Sequence, residues 1–354
     1  MLSERQLAAI TKLQGDKKVV IKTATQAMSE RPVARSISTG LVGLDRIIGR
    51  IGGIPRGKWT HIYGEESVGK STLTYHIIAQ AQSQGLSVFL ADIEATFDPE
   101  YARALGIDLD ALFFIHMGAE DGGEELVDRV ERIVRSGSAD VVVIDSVGAM
   151  VPGKMFENEV GKSMPGRRAA LVSEMLARLT GPMARTNTAI VLVNQMTGTM
   201  QRDFHGNELL TPKGGRALRH YSSLNLLIKR KRKPNEDSEG EAVSSDVTIR
   251  IDKNKVGLPF GVAELKVEFG KGFDAVSDLT TTALEFGIVV KAGAWLNYGE
   301  FKAQGAERFV ALLRQDTVVL PRLYAETLEA CKAEGERKFQ EALEARKASQ
   351  AVFA

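Results

Sequence analysis

Eight consecutive residues, Gly64-Glu65-Glu66-Ser67-Val68-Gly69-Lys70-Ser71, have the types and spacing to grip a polyphosphate. The glycines let backbone N–H groups curl around phosphate oxygens, and a helix starting at Lys70 adds its positive dipole end. Lys70 then reaches the terminal phosphates, and the Ser71 hydroxyl is a ligand for Mg²⁺. Thr72 follows at the helix start, so the candidate nucleotide contacts run from Gly64 to Thr72. The pattern matches the phosphate-binding loop in full, and it lies between an apolar run and a helical one, as that motif requires.

Acidic residues supply the other half of such chemistry. Val141-Val142-Val143-Ile144-Asp145 is an apolar run ending in a carboxylate. In an open α/β sheet that places Asp145 at a strand tip, where it can hold Mg²⁺ through water. Alone the pattern is weak, because many buried strands end in Asp; beside a phosphate-binding loop it gains weight. Asp92, Glu94 and Asp98 lie at or after the end of another strand. Glu94 is the best candidate for the base that takes a proton from an attacking water. The plainer alternative is that these acids cap helices or face solvent.

These residues need a scaffold, and the patterning supplies one. Strands are predicted over Trp59–Tyr63, Ser87–Asp92, Leu112–His116, Val141–Asp145 and Ala189–Asn194. Helices are predicted over Lys70–Ala81, Glu124–Val134 and Arg167–Leu179, with a turn at Asp98-Pro99. Short apolar strands alternating with helices imply a mostly parallel sheet covered on both faces. Ser223–Lys231, Val247–Lys253 and Glu264–Phe269 follow with little helix between them and read as an antiparallel extension. Residues 233–245 are polar and read as a mobile hairpin loop. Ahead of this core, Leu2–Leu13 can form an amphipathic helix and Val19–Thr23 a short strand, joined to the core by a polar linker. The expected division is an arm and linker over 1–35, a core over 36–272, and a small α/β domain with a charged helical tail over 273–354.

Bulk composition excludes little. In 354 residues, 46 Lys and Arg face 45 Asp and Glu, a net charge of +1, so any nucleic-acid surface must come from local clustering. Cys331 is the one cysteine, so no intrachain disulfide forms and a reducing cytoplasm fits. The N-terminus is too polar for a secretory signal, and no apolar run approaches the roughly 20 residues that span a bilayer. A cytoplasmic protein with no membrane partner is expected.

One family carries several of these stretches in the same order. SISTGLVGLDRIIGRIGGIPRGKWTHIYGEESVGKSTL, ADIEATFDPEYARALGIDLD, VVVIDSVGAMVP, LVNQM, TPKGGRALRHYSS and DKNKVGLPF resemble successive motifs of RecA-type recombinases, and the likeness runs from about Leu2 to about Leu320. The resemblance implies a RecA-like ATPase core, ATP and Mg²⁺ as cofactors, and a helical filament on single-stranded DNA that pairs with homologous duplex. Single-strand-binding and mediator proteins are candidate partners. It also implies roles: Glu94 as catalytic base, Asp98 and Tyr101 at the adenine, Gln195 as sensor of the terminal phosphate. Lys253 and Lys255 match a pair that reaches ATP from the adjacent subunit, stabilising charge on the transferring phosphoryl group. Without the resemblance, that pair reads as a solvated strand edge.

Two segments resemble DNA-binding loops. The first, Glu157–Gly166, brings Met164, Pro165 and Gly166 ahead of Arg167 and Arg168, with Ser173 further along the helix. The second, Met196–Gly214, leads into Gly215, Arg216 and Arg219. Glycine permits close approach to a phosphate backbone and arginine pairs with it. Gln201–Pro212 has almost no periodicity and is expected to be disordered without DNA. The chain departs from the family at Met164-Pro165, where His-Met is usual, and at Ala170 and Ala177, which occupy basic positions. His220 stands where an aromatic is usual, and the tail lacks a strongly acidic end. These features suggest a divergent bacterial or phage member. A ring-forming helicase on the same core would bring a further domain; an ATP-gated scaffold without strand exchange is the alternative from another class.

Overall fold

The computed structural model describes residues 36–50, 52–118, 121–153, 166–202, 208–231 and 244–351. The predicted N-terminal helix and strand, Met164 and Pro165, and most of the 233–245 loop lie outside these residues. Ser36–Ala354 forms one compact unit.

A small antiparallel pair, β1 (Ser36–Ile37) and β2 (Ile54–Pro55), flanks helix α1 (Val42–Ile48). The central sheet then builds up from β3 (Trp59–Gly64), β4 (Val88–Asp92), β5 (Leu112–Phe114), β6 (Val141–Asp145), β7 (Ala189–Arg202), β8 (Glu208–Pro212), β9 (Leu224–Arg230), β10 (Ser244–Asn254), β11 (Val262–Glu268) and β12 (Gly272–Phe273). Its order is β12-β11-β10-β9-β3-β7-β6-β4-β5, with β8 paired only to β7. The strands from β9 to β5 run parallel, so Ser223–Lys231, expected in the antiparallel extension, continues the parallel core beside β3, while β10, β11 and β12 extend the sheet antiparallel.

The apolar runs follow from burial on two faces. Val141 and Val143 join the core beneath α2 (Lys70–Ser83), with Leu73, Ile77 and Ile78. Val142 and Ile144 point the other way, into a core with Leu126 and Val130 of α4 (Gly123–Ser136) and Leu176 and Leu179 of α5 (Arg167–Thr186). All four strand residues are fully buried.

Three local expectations need correction. The Asp98-Pro99 turn opens a helix, α3 (Pro99–Ala104): Asp98 Oδ1 accepts from the N–H groups of Glu100 and Tyr101 at 3.0 Å each, with Pro at the first helical position. Helix α5 does not stop at Leu179. It runs through Pro182 because Pro182 and Met183 are buried in the core, and it ends at Asn187 in a left-handed conformation. The described part of Gln201–Pro212 is ordered, while residues 203–207 lie outside the described residues. Glu208–Pro212 forms β8 and pairs with β7, Met196 opposite Pro212 and Gly198 opposite Leu210. Aperiodicity misled there because a hairpin ladder is made by backbone groups and demands no apolar face.

Between β8 and β9 lies the short helix α6 (Ala217–Tyr221), and beyond β12 come α7 (Ala275–Glu285), α8 (Ala306–Leu313) and α9 (Val319–Ala351). A separate sheet is formed by β13 (Val290–Ala292), β14 (Trp295–Tyr298) and β15 (Phe301–Gln304). Its core, with Phe309 and Leu313, also takes in Val42 from α1. Among the described residues no helix is long and apolar enough to cross a membrane.

Candidate nucleotide site and nucleic-acid loops

The site lies at the C-terminal edge of the parallel strands. Gly64 ends β3 and sits in register with Gln195 of β7, while Asp145 of β6 is in register with Asp92 of β4. Three strands therefore deliver Asp92, Asp145 and Gln195 to the edge at which β3 delivers the phosphate loop, where open α/β sheets bind ligands. Glycine at 64 is required by space: a Cβ there would lie 2.3 Å from the Ile228 carbonyl oxygen of the neighbouring strand. The loop then turns through left-handed backbone at Ser67 and at Gly69, which caps α2.

Lys70 is buried and its ammonium donates to the Glu65 carbonyl, so it folds back over the loop. Burial holds its pKa below the usual lysine value; Asp145, Glu94 and Glu66 oppose that, and the nearby charge of Lys213 adds to it. The Ser71 hydroxyl donates to Asp145 Oδ2 at 2.8 Å. Burial, with Glu94 and Asp92 close by, raises Asp145 from 3.8 to about 6, against the pull of Ser71 and Lys70. Among the described residues no group of three or more His, Cys, Asp or Glu is arranged to hold a metal ion. One hydroxyl and one carboxylate still fit Mg²⁺, which keeps most of its shell as water and substrate phosphate.

Glu94 accepts from the Ser146 hydroxyl and, at 2.9 Å, from Gln195 Nε2. Gln195 Oε1 in turn accepts from Lys213 Nζ at 3.0 Å. Neither Ser146 nor Lys213 was singled out in the sequence, since only the sheet register brings them to Glu94. Beside the loop a cleft of about 670 Å³ is bounded by Ser67–Thr72, Asp98 and Tyr101. Tyr101 OH donates to Thr72 Oγ1 at 3.1 Å, and Asp98 faces the cleft with one oxygen committed to capping α3. The opposite wall, Val267 and Phe269 at the end of β11, carries no local motif and was missed.

The remaining predicted residues lie elsewhere. Gly166 caps α5 in left-handed backbone, and Arg167 behind it is half-buried. Arg168 Nε donates to the Met150 carbonyl at 3.0 Å, tying the start of α5 to the segment after β6. The Ser173 hydroxyl donates to Ala169 O within its own helix. Met196 starts the β7–β8 hairpin, Gly214 and Gly215 both take positive φ, and Arg216 and Arg219 are exposed around α6. With Lys229 and Arg250 these arginines line a cleft of about 950 Å³ beside the hairpin base.

Lys253 and Lys255 do not reach the phosphate loop of their own chain. Lys253 is level with Asn225 and His61, toward the N-terminal ends of the parallel strands, three residues short of Gly64. Its ammonium donates to the carbonyls of Arg219 and, at 3.0 Å, His220, at the C-terminal end of α6. Burial, then the charges of Lys255 and Arg219, lower its pKa. The three cations form a basic cluster, and Lys255 in it is exposed.

The sequence is also similar to known proteins. A family model described as the RecA N-terminal domain matches residues 3–274. Protein RecA of Thermus thermophilus is 40% identical over 329 residues, covering 92% of this chain and 93% of the relative. Protein RecA of Thermus aquaticus is 41% identical over 314 residues (87% and 89%), and that of Chlorobaculum parvum 42% over 286 residues (80% of each). With a phosphate loop, an acid-tipped strand and a glutamate–glutamine pair at one sheet edge, the chain belongs to the RecA family of recombinases, DNA-dependent ATPases that pair and exchange DNA strands.

Proposed function

We propose that ATP is hydrolysed at the edge formed by β3, β7, β6 and β4, with Glu94 as the base. The loop Gly64–Thr72 holds the phosphates, Lys70 neutralises the terminal ones, and Asp98 and Tyr101 flank the base of the nucleotide. Ser71 and Asp145 would hold Mg²⁺, whose charge offsets that developing on the phosphate oxygens. Glu94 takes the proton of the attacking water, and Gln195 reads whether a terminal phosphate is present. The observation that carries this reading is the Gln195–Glu94 hydrogen bond at the same edge as the Ser71–Asp145 pair.

Lys253 and Lys255 complete the ATP site of a neighbouring subunit. Their place away from their own loop, in an exposed basic cluster, supports action in trans. Hydrolysis then depends on assembly along single-stranded DNA. The filament pairs that strand with homologous duplex, with single-strand-binding and mediator proteins as partners, in the cytoplasm. Gly166 and Arg167, at the start of α5, contact DNA together with Met164 and Pro165; Met196, Gly214, Gly215 and Arg216 make the second set of contacts. Residues 1–35 serve self-association, 36–272 catalysis and DNA, and 273–354 form the small accessory domain. Edge strand β5 offers one assembly surface: it ends the sheet, and Phe113 and Phe114 are each about half exposed.

Glu94→Gln tests the assignment. It keeps the hydrogen-bonding shape and removes the base, so ATP binding should persist while DNA-stimulated turnover falls by about 10²-fold or more. Loss of ATP binding in a folded variant would make Glu94 structural.

A further inference from the structure

Lys213 immediately follows β8 and grips Gln195 twice: its N–H donates to the Gln195 carbonyl at 3.1 Å, and its Nζ donates to the side-chain Oε1 at 3.0 Å. Its own carbonyl accepts from Asn194 Nδ2 at 2.7 Å. The lysine stem crosses Gly148, in the turn just after Asp145; a Cβ at 148 would lie 3.1 Å from Lys213 Cδ and 3.2 Å from Asn194 Oδ1. Glycine there leaves the space through which the stem passes from the hairpin base to the nucleotide edge.

An ammonium only donates, so it holds Gln195 Oε1 toward itself and turns Nε2 toward Glu94. Nε2 carries two hydrogens. One goes to Glu94 at 2.9 Å, and the other is available to a terminal phosphate oxygen. We propose that Lys213 is a positioning residue that couples the β7–β8 hairpin to ATP hydrolysis, by setting the orientation of the Gln195 amide against Glu94. This rests on the reading of Glu94 as base and Gln195 as sensor. Any displacement of the hairpin base when DNA binds moves the Lys213 backbone and, through its ammonium, the amide. The route is a chain of three side chains, Lys213, Gln195 and Glu94, and needs no movement of the sheet.

The test measures ATP turnover with and without single-stranded DNA in Lys213→Met, Lys213→Arg, Gln195→Ala and Lys213→Met with Gln195→Ala. Fluorescent-nucleotide binding verifies that each variant is folded. Lys213→Met should reduce the ratio of DNA-stimulated to DNA-free turnover by about tenfold, the scale of misplacing a catalytic group, with the effect in kcat and less than about twofold in KM. Lys213→Arg, which keeps a cationic donor, should hold the ratio within about threefold of the parent. In the Gln195→Ala background Lys213→Met should add nothing, because the lysine acts through that amide. A Lys213→Met protein stimulated like the parent, beside a Gln195→Ala protein that is not, overturns the lysine link alone. Full stimulation of Gln195→Ala overturns the sensor reading and the link with it. An additive loss in the double variant, or an arginine as defective as methionine, also overturns the link.

Discussion

Ser71 and Asp145, 74 positions apart in sequence, meet through a hydrogen bond of 2.8 Å across the strand β7 that separates β3 from β6. The contact joins the helix that follows the phosphate loop to the carboxylate at the tip of β6. In the proposed reaction this hydroxyl and acid would hold Mg²⁺ beside the phosphates of ATP.

Ser71→Ala should therefore separate metal dependence from nucleotide binding. The backbone cradle and Lys70 remain, so ATP still binds, but Mg²⁺ should strengthen that binding far less than in the parent. Turnover should fall by about 10²-fold, since one protein ligand to the metal is lost. Calorimetric titration with and without Mg²⁺ measures this, and an unchanged Mg²⁺ dependence would remove Ser71 from the metal site.

The two arginines that the sequence treated alike should behave differently. Arg216 is exposed beside the second loop, so Arg216→Ala should weaken single-stranded DNA binding across sequences and reduce the salt slope by about 0.7, one phosphate contact. Arg168 holds the Met150 carbonyl, so Arg168→Ala should lower the unfolding temperature more than it changes the slope. Fluorescence anisotropy against salt, beside thermal melts, distinguishes the two; matching slope losses would make Arg168 a DNA contact as well.

Local sequence carries some of these features and not others. The phosphate loop and Asp145 were legible because a strand, a glycine turn and a helix are contiguous, and their chemistry follows from local spacing. Most of the parallel core was legible from five apolar runs; its sixth strand, β9, has no helix before β10 and so read with the antiparallel extension. Arg168 carries a structural contact that the sequence could not show, because its partner, the Met150 carbonyl, is fixed only by tertiary packing. Lys213 was passed over for the same reason: its role depends on the β7–β8 register, and that hairpin has no apolar alternation to announce it. Helix α3 could have been found, since Asp-Pro at the start is a capping signal that was read as a turn.

Stability should depend on pH through Asp278. This carboxylate is buried between α7 and α1, with Oδ2 accepting from Gly43 N at 2.8 Å. Burial raises its pKa from 3.8 to about 7, helped by the charges of Asp45 and Glu285 and opposed by the N–H groups of Gly43 and Val42. A raised acid favours the protonated native state. That contribution is complete below the unfolded value and is lost as pH rises through about 7, so the window runs from 3.8 to about 7. Asp278→Asn keeps an acceptor for Gly43 and cannot ionise. Its melting temperature should exceed the parent's at pH 8 by about 2–4 °C for each ~1 kcal/mol recovered, with the gain absent near pH 4. A gain independent of pH would show that Asp278 is not the titrating group.

In the proposed mechanism ATP is cleaved only where two subunits meet, one supplying Glu94 and the other Lys253 and Lys255. Lys253→Ala with Lys255→Ala and the separate Glu94→Gln protein should each lack DNA-stimulated ATPase while still binding nucleotide, since each keeps its own phosphate loop. Mixed in equal amounts on single-stranded DNA, they form head-to-tail junctions of which about one in four joins an intact Glu94 site to an intact lysine pair. The measurement is ATP turnover by this mixture, with co-assembly verified by energy transfer between labelled parents. Turnover should return to roughly a quarter of the unmodified protein's rate, one active junction in four. Turnover that stays at the level of the inactive parents, in filaments shown to contain both, would contradict this mechanism and place the lysines' action within their own subunit.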